Sequence, residues 1–112
     1  MEDSNSAEDR THRAAANGDV QTLSEEISEK REVVDNRDEN GWQPIHEAAA
    51  GGHKKAVELL VNNGADMNTR TLGGRGGTPL HIAKKRFGPL HPVVQYLKNL
   101  GALDVPPDRS EL

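Results

Sequence analysis

The stretch QPIHEAAAGGH at residues 43–53 decides the fold of this chain, because its opening recurs as TPLHIA at residues 78–83. Each copy continues into small residues, a turn and an apolar stretch that ends at a Gly-Ala pair. The histidines of the two copies, His46 and His81, lie 35 residues apart. Self-similarity at such a spacing is typical of a stacked-repeat protein, in which each helical unit buries its apolar face against its neighbours.

The middle unit, residues 38–70, shows the repeating plan most clearly. Gly41 lies in a polar turn, and Pro44 suits the first position of a helix, where its missing N–H has no partner to lose. Apolar residues then recur with helical spacing across residues 53–63, and Gly64 is placed to end that helix in a left-handed conformation. The unit therefore predicts two short helices preceded by a turn.

The flanking units keep this plan with departures. The first, residues 8–37, is polar and degenerate, as expected of a terminal capping repeat. The last, residues 71–104, carries about two extra residues in its turn, within 72–77, and about two more between its helices, within 86–91. The ends predicted to be flexible are residues 1–7 and 105–112.

These motifs resemble the ankyrin-repeat family over roughly residues 8–104. The likeness is most specific in residues 38–70 and in the T-P-L-H-x-A opening of the last unit. The resemblance implies an all-α solenoid of about three stacked helix-turn-helix units with protruding turns. It also implies a non-catalytic module that binds another protein through its turn tips and the exposed side of its first helices.

The resemblance places the family's docking positions onto residues of this chain. The partner-binding surface predicted in this way comprises Glu39, Asn40, Trp42, Ala50, Arg70, Arg75, Lys85 and Arg86. Further positions that match the family's docking pattern are Ala16, Asn17, Gly74 and Gly77.

Trp42 is the sharpest of these predictions, because it is the only tryptophan of the chain and it lies on a turn. A tryptophan in such a place is a typical binding hot spot, and the alternative is a ring that packs back onto the neighbouring turn. The basic cluster of Arg75, Lys84, Lys85 and Arg86, with Arg70 nearby, predicts binding of an acidic peptide or a phosphate group. On a protein partner we expect an acidic patch that meets Arg75, Lys85 and Arg86. The alternative for this cluster is a solvated face without a ligand.

Composition argues against several other classes of function. The chain of 112 residues has no cysteine, which excludes disulfides, thiolate zinc sites and a cysteine nucleophile. Residues 1–40 hold 12 acidic and 5 basic side chains, and residues 41–112 hold 6 acidic and 9 basic ones. The second part is only mildly basic and has little aromatic content, which argues against a nucleic-acid-binding surface. No apolar run approaches the roughly 20 residues that span a membrane. We therefore expect a monomer without catalytic residues, cofactor, nucleic-acid partner or membrane partner.

Five histidines and a glycine-rich turn raise two further hypotheses. His12, His46 and His81 occupy equivalent positions about one repeat, or roughly 10 Å, apart, which is too far for one metal with bonds of about 2 Å. In the family this histidine tethers a turn through its ring, and His53 is expected to act at a helix start, while His91 has no assigned role. The sequence GGRGG at residues 73–77 lacks the Gly-Lys-Ser/Thr ending of a phosphate loop, so we predict an extended turn.

Two alternative functions remain open from the sequence. Residues 70–77 and 93–97 look similar to ankyrin segments attached to some prolyl 4-hydroxylase-like proteins, which would make the chain an accessory C-terminal domain of an enzyme. A short stack also leaves an apolar face open for self-association. The polar N-terminus is not a signal peptide, so the expected location is the cytoplasm or nucleus. The endoplasmic reticulum is expected only for a fragment, since the ending RSEL loosely resembles a retention signal.

Overall fold

The computed structural model describes the backbone of residues 7–108 and the side chains of residues 10–108. Within this part of the chain there are six α-helices and no strand, so the predicted all-α class is confirmed. The elements are α1 (Ala7–Asn17), α2 (Val20–Glu29), α3 (Pro44–Gly51), α4 (Lys54–Asn62), α5 (Pro79–Phe87) and α6 (Pro92–Asn99), with short 3-10 turns at Arg31–Asp35 and Leu72–Gly74. The flexible N-terminus predicted for residues 1–7 lies almost wholly outside the described residues, as do residues 109–112.

Proline and glycine mark the helix ends where the sequence predicted them. Pro44, Pro79 and Pro92 begin α3, α5 and α6, where a fixed φ favours the helix and no N–H partner is lost. Gly52 ends α3 in the left-handed conformation, with a φ of 75°. Gly64 follows α4 with a φ of 97°. A side chain at either glycine would strain the backbone, so these positions define the lengths of the helices.

The helices pack in two layers. Helices α1, α3 and α5 contact one another in order, and α2, α4 and α6 do the same behind them. Ala48, Ala49 and Ala83 have no exposed surface, and their small size lets the first-layer helices approach closely. The largest fully buried side chains include Leu23, Ile45, Leu60 and Leu97. The chain is therefore a stack of three helix pairs, each of which buries its apolar face against the next.

The turns that precede α3 and α5 stack in the same order as the helices. We call residues 36–43 the first turn and residues 68–78 the second turn. The N–H of Leu72 in the second turn donates to the carbonyl of Asn40 in the first at 3.3 Å. A Cβ on Gly41 would lie 2.7 Å from the Leu72 nitrogen, so only glycine allows the two turns to approach this closely.

Residues 105–108 lie along the second turn, which differs from the flexible C-terminal tail predicted from the sequence. The N–H of Thr78 donates to the Val105 carbonyl, and the Val105 N–H donates to Thr78 Oγ1, both at 3.1 Å. The N–H of Asp108 donates to the Arg75 carbonyl at 2.7 Å. This segment thus packs on the second turn as the second turn packs on the first.

Candidate partner-binding surface

The predicted partner-binding residues lie on the two turns and at the ends of α3 and α5. Their exposure is uneven, and it separates them into three groups. Exposed residues are Glu39, Asn40, Arg75, Lys85 and Arg86, half-buried residues are Trp42 and Arg70, and the buried residue is Ala50. The structure therefore offers only part of the predicted set to a partner.

The first turn is organised by the carboxylate of Asp38. Its Oδ1 accepts hydrogen bonds from the N–H groups of Asn40, at 2.8 Å, and Trp42, at 3.0 Å. The N–H of Asp38 donates to the Trp42 carbonyl at 2.9 Å, which closes the turn. An aspartate that bonds the backbone N–H groups ahead of it is a common turn-forming device. It gives the Trp42 backbone a defined position.

The Trp42 ring is partly packed and partly exposed. Its centroid lies 5.8 Å from that of His46, with the planes tilted by 59°. Nε2 of His12 lies 3.0 Å from the Trp42 carbonyl oxygen, so α1 also holds the residue in place. The ring thus contacts His46 while the residue keeps part of its surface exposed, and its role as a binding hot spot stays a prediction.

Glu47 is a half-buried carboxylate on α3 that the sequence analysis did not name as a candidate. It follows the repeated histidine on α3, the position that Arg13 occupies in α1 and Ile82 in α5. Burial raises the pKa of Glu47, and the neighbouring Asp38 carboxylate raises it further, while the charge of His12 opposes the shift. The sequence did offer one indication of Glu47: it directly follows the histidine of the repeated motif, on the side of the first helices where partners of this family dock.

Arg70, which was predicted to belong to the binding surface, is held by hydrogen bonds within the molecule. Its Nε donates to the Gly76 carbonyl at 2.7 Å, and its Nη2 donates to the Pro106 carbonyl at 3.1 Å and to Asp108 Oδ1 at 2.8 Å. The guanidinium fork joins the second turn to the C-terminal segment, a use that the local sequence does not reveal.

Ala50 and Arg86, two further predicted binding residues, lie against each other at the end of α3. Ala50 is only 8% exposed, so its side chain is not available as a contact on the exposed side of α3. Nη1 of Arg86 donates to the Ala50 carbonyl at 3.0 Å, which brings the arginine across the end of that helix. Ala50 is therefore covered, whereas Arg86 remains exposed with one of its donors in use.

The remaining cations divide into paired and unpaired groups. Nζ of Lys84 donates to Asp104 Oδ2 at 2.7 Å, and this hydrogen bond lowers the pKa of Asp104 below its usual range. Within the described residues, the side chains of Arg75 and Lys85 make no hydrogen bond or ion pair. These two members of the predicted set can meet an acidic group without breaking a side-chain hydrogen bond or ion pair.

Two of the three equivalent histidines tether turns as predicted. Nε2 of His46 lies 3.0 Å from the Thr69 carbonyl oxygen, while its Nδ1 accepts from the Gln43 N–H at 2.9 Å. His12 contacts the first turn in the same way. His81 differs, because its Nδ1 lies 2.9 Å from Asp104 Oδ1, a side chain that takes the place of a turn carbonyl.

His53 and His91 both occupy helix starts. His53 precedes α4, as predicted, and its Nε2 lies 3.0 Å from the Ala16 carbonyl oxygen. His91, which had no assigned role, caps α6 by accepting the Val93 N–H on Nδ1 at 3.2 Å.

Among the described residues, no group of three His, Asp or Glu side chains is arranged to hold a metal ion. None of the helices in this part of the chain has the length and apolar character to cross a membrane.

Comparison with known proteins gives a match to a family model for ankyrin repeats, in three copies, over residues 11–106. A Caenorhabditis elegans homologue of transient receptor potential cation channel subfamily A member 1 is 38% identical over 74 residues, or 66% of this chain. Human ankyrin repeat domain-containing protein 49 is 40% identical over 53% of the chain, and the NF-kappa-B inhibitor cactus of Drosophila melanogaster is 47% identical over 42%. The matched regions span 6%, 25% and 9% of these relatives, respectively.

Proposed function

The chain belongs to the ankyrin-repeat family, whose repeats are generally protein-interaction modules, and we propose that it binds another protein without catalysing a reaction. The contact region, which we call the Trp42 surface, spans the exposed parts of both turns and of the first-layer helices. Its residues are Glu39, Asn40, Trp42, Glu47, Arg75 and Lys85.

The position of Trp42, a half-buried residue on a turn held by hydrogen bonds, is the observation that carries this proposal. Aromatic side chains bury a large area with few rotatable bonds, and tryptophan is among the residues most enriched at binding hot spots. The turn hydrogen bonds of Asp38 and the contact with His46 hold Trp42 before any partner arrives. Such preorganisation lowers the conformational entropy lost on binding.

The charges of the surface favour a partner with an acidic patch. Arg75 and Lys85 are exposed cations whose side chains make no hydrogen bond or ion pair within the described residues. Pairing them with carboxylates therefore requires no internal contact to be broken, whereas Arg70 would have to leave Asp108 and two backbone carbonyls. We accordingly leave out of the contact set Arg70, the buried Ala50, and Arg86, whose guanidinium donates to the Ala50 carbonyl.

One relative supports a protein as the class of partner, since the name of cactus describes it as an inhibitor of NF-kappa-B. The chain matches only 9% of that protein, so the identity of the partner does not carry over. We propose the class of partner alone.

A comparative affinity purification tests the proposal. Wild-type protein, Trp42→Ala and Lys98→Ala would be used as baits, with helical content checked by circular dichroism. Lys98 is exposed on α6 and serves as the matched control. We expect a partner retained by wild type and Lys98→Ala to bind Trp42→Ala about tenfold or more weakly, as for a hot-spot residue. Equal affinity of all three folded baits would contradict the Trp42 surface.

A further inference from the structure

The loop between α5 and α6 exposes apolar side chains at the opposite end of the helices from the turns. Leu90 is 85% exposed and Phe87 is 40% exposed. The corresponding connection between α3 and α4 consists of Gly52 and His53 alone. Four residues, 88–91, separate α5 from α6, so the repeat plan itself does not require a leucine at this place.

This loop is held by its own contacts. Nε2 of Gln95 donates to the Pro89 carbonyl at 2.8 Å, and the Gly88 N–H bonds back to α5 at 2.8 Å. The rings of Phe87 and His91 stack with centroids 4.5 Å apart and planes 23° apart. The loop therefore displays an exposed leucine in a fixed position, which reduces the entropy lost when a partner covers it.

The loop is also continuous with the end of α3. A Cβ on Gly52 would lie 2.9 Å from the Phe87 ring and 3.2 Å from the His91 ring, so both rings rest on that glycine. Arg86 extends in the same direction to the Ala50 carbonyl. Side chains from two neighbouring helix pairs thus form one surface.

The charged residues within the loop-end segments themselves are all basic. Residues 50–56 and 84–95, which form the loop ends of the second and third helix pairs, contain five Lys or Arg residues and no Asp or Glu. Two of the five are paired, Lys54 with Glu58 at 3.6 Å and Lys84 with Asp104 at 2.7 Å. The three that face no carboxylate within the described residues are Lys55, Lys85 and Arg86.

We infer that this loop-end surface, formed by Phe87, Leu90, Lys55, Lys85 and Arg86, docks an acidic peptide segment of a partner protein that carries an apolar side chain. The apolar side chain packs against Leu90 and Phe87, and the flanking carboxylates pair with the three cations. The inference goes beyond the Trp42 surface, because it needs no contact with Trp42 itself. Lys85 belongs to both surfaces.

An acidic peptide fits this surface better than an anionic membrane does. Two exposed apolar side chains and three cations make a weak membrane anchor, since stable attachment takes a larger apolar face or a second lipid-binding signal. A single peptide segment can present one apolar side chain together with several carboxylates.

The test uses a fluorescently labelled peptide in which Glu and Asp residues flank one Leu and one Phe, with fluorescence anisotropy as the readout. Leu90→Ser is compared with Leu103→Ser, because Leu103 is 55% exposed and lies outside the loop-end surface. We expect wild type, Leu103→Ser and Trp42→Ala to bind alike, and Leu90→Ser to bind at least about fivefold more weakly. Lys55→Glu is expected to bind the peptide more weakly than wild type does. This difference should grow as the salt concentration falls, because less screening strengthens the repulsion between Glu and the peptide carboxylates.

Several outcomes would overturn the inference. These are no binding by wild type, equal binding by Leu90→Ser and Leu103→Ser, or equal binding of a matched acidic peptide without Leu and Phe. Leu90-dependent binding to phosphatidylserine vesicles in place of the peptide would assign the surface to a membrane. Because Trp42→Ala is expected to bind this peptide normally, loss of the Trp42 surface and loss of the loop-end surface are separate results.

Discussion

Arg37 and Arg70 lie 33 residues apart and use their guanidinium groups in the same way, each joining its own turn to the segment stacked on it. Nη1 of Arg37 donates to the Gly41 carbonyl at 2.7 Å and to the Arg70 carbonyl at 2.9 Å. Arg70 donates to the Gly76 carbonyl at 2.7 Å and to the Pro106 carbonyl at 3.1 Å. The arginines thus form a ladder along the turns, and the C-terminal segment occupies the place that a further turn would take.

Removing the first arginine of this ladder should destabilise the protein. We expect Arg37→Ala to lower the free energy of unfolding by about 1–2 kcal/mol, because charge-assisted hydrogen bonds to carbonyls are lost at an exposed site. Arg37→Lys should recover only part of this, since an ammonium group cannot reproduce the planar fork. Urea denaturation measures the change, and Lys98→Ala is the control, expected within about 0.5 kcal/mol of wild type. An Arg37→Ala protein as stable as the control would show that the ladder contributes little.

Acid should destabilise the fold through His46. Burial lowers the pKa of His46 from 6.5 to about 4. Between these two pH values the unfolded chain binds a proton on this ring that the folded chain does not, so the free energy of unfolding falls as the pH falls. The full loss attributable to His46 is about 3 kcal/mol, reached near pH 4 and constant below it.

Denaturation at a series of pH values measures this loss. The stabilising effect of neutral His46 is fully present above pH 6.5. His46→Gln should be less stable at neutral pH but should show a flatter dependence between pH 6.5 and 4 than wild type. Parallel curves for wild type and His46→Gln would mean that other groups account for the acid sensitivity.

Leu72 should be replaceable by glycine with a gain in stability. It is the one non-glycine residue in the described part of the chain with a positive φ, at 53°, and its side chain is 53% exposed. A left-handed conformation costs a residue with a Cβ about 1–2 kcal/mol, and the entropy of glycine in the unfolded chain offsets part of that. We expect Leu72→Gly to raise the free energy of unfolding by about 0.5 kcal/mol and Leu72→Ala to give no gain. A loss with Leu72→Gly would mean that the leucine side chain stabilises the stacked turns.

Gly52 should tolerate alanine less well than Gly101. Both have a positive φ, at 75° and 85°, so both substitutions strain the backbone. Only at Gly52 does the added Cβ meet other atoms, the rings of Phe87 and His91, whereas nothing lies within 4 Å of it at Gly101. We expect Gly101→Ala to cost about 1 kcal/mol and Gly52→Ala about 1–2 kcal/mol more, as judged by thermal denaturation. Equal costs would show that the two rings move aside freely.

The sequence alone determined the stack of helix pairs and the positions of its turns. Pro44 and Gly64 act on the backbone dihedrals of their own neighbourhood, and the spacing of apolar residues within one helix defines its buried face. Such signals need no knowledge of distant residues. The same local argument identified Trp42 as a turn residue, whereas the tethering role of His46 was an expectation from the family resemblance.

The tertiary structure alone decided which of the candidate residues remain available to a partner. Arg70 pairs with Asp108, 38 residues away, and Lys84 with Asp104, 20 residues away. Among the described residues, the side chains of Arg75 and Lys85 make no hydrogen bond or ion pair. The two pairings depend on the path that the backbone follows through the last unit, which contains the extra residues. Hydrogen bonds between distant segments form where the packed backbone brings a donor and an acceptor within about 3 Å of each other. The number of residues between two side chains in the sequence does not determine that distance in the folded protein.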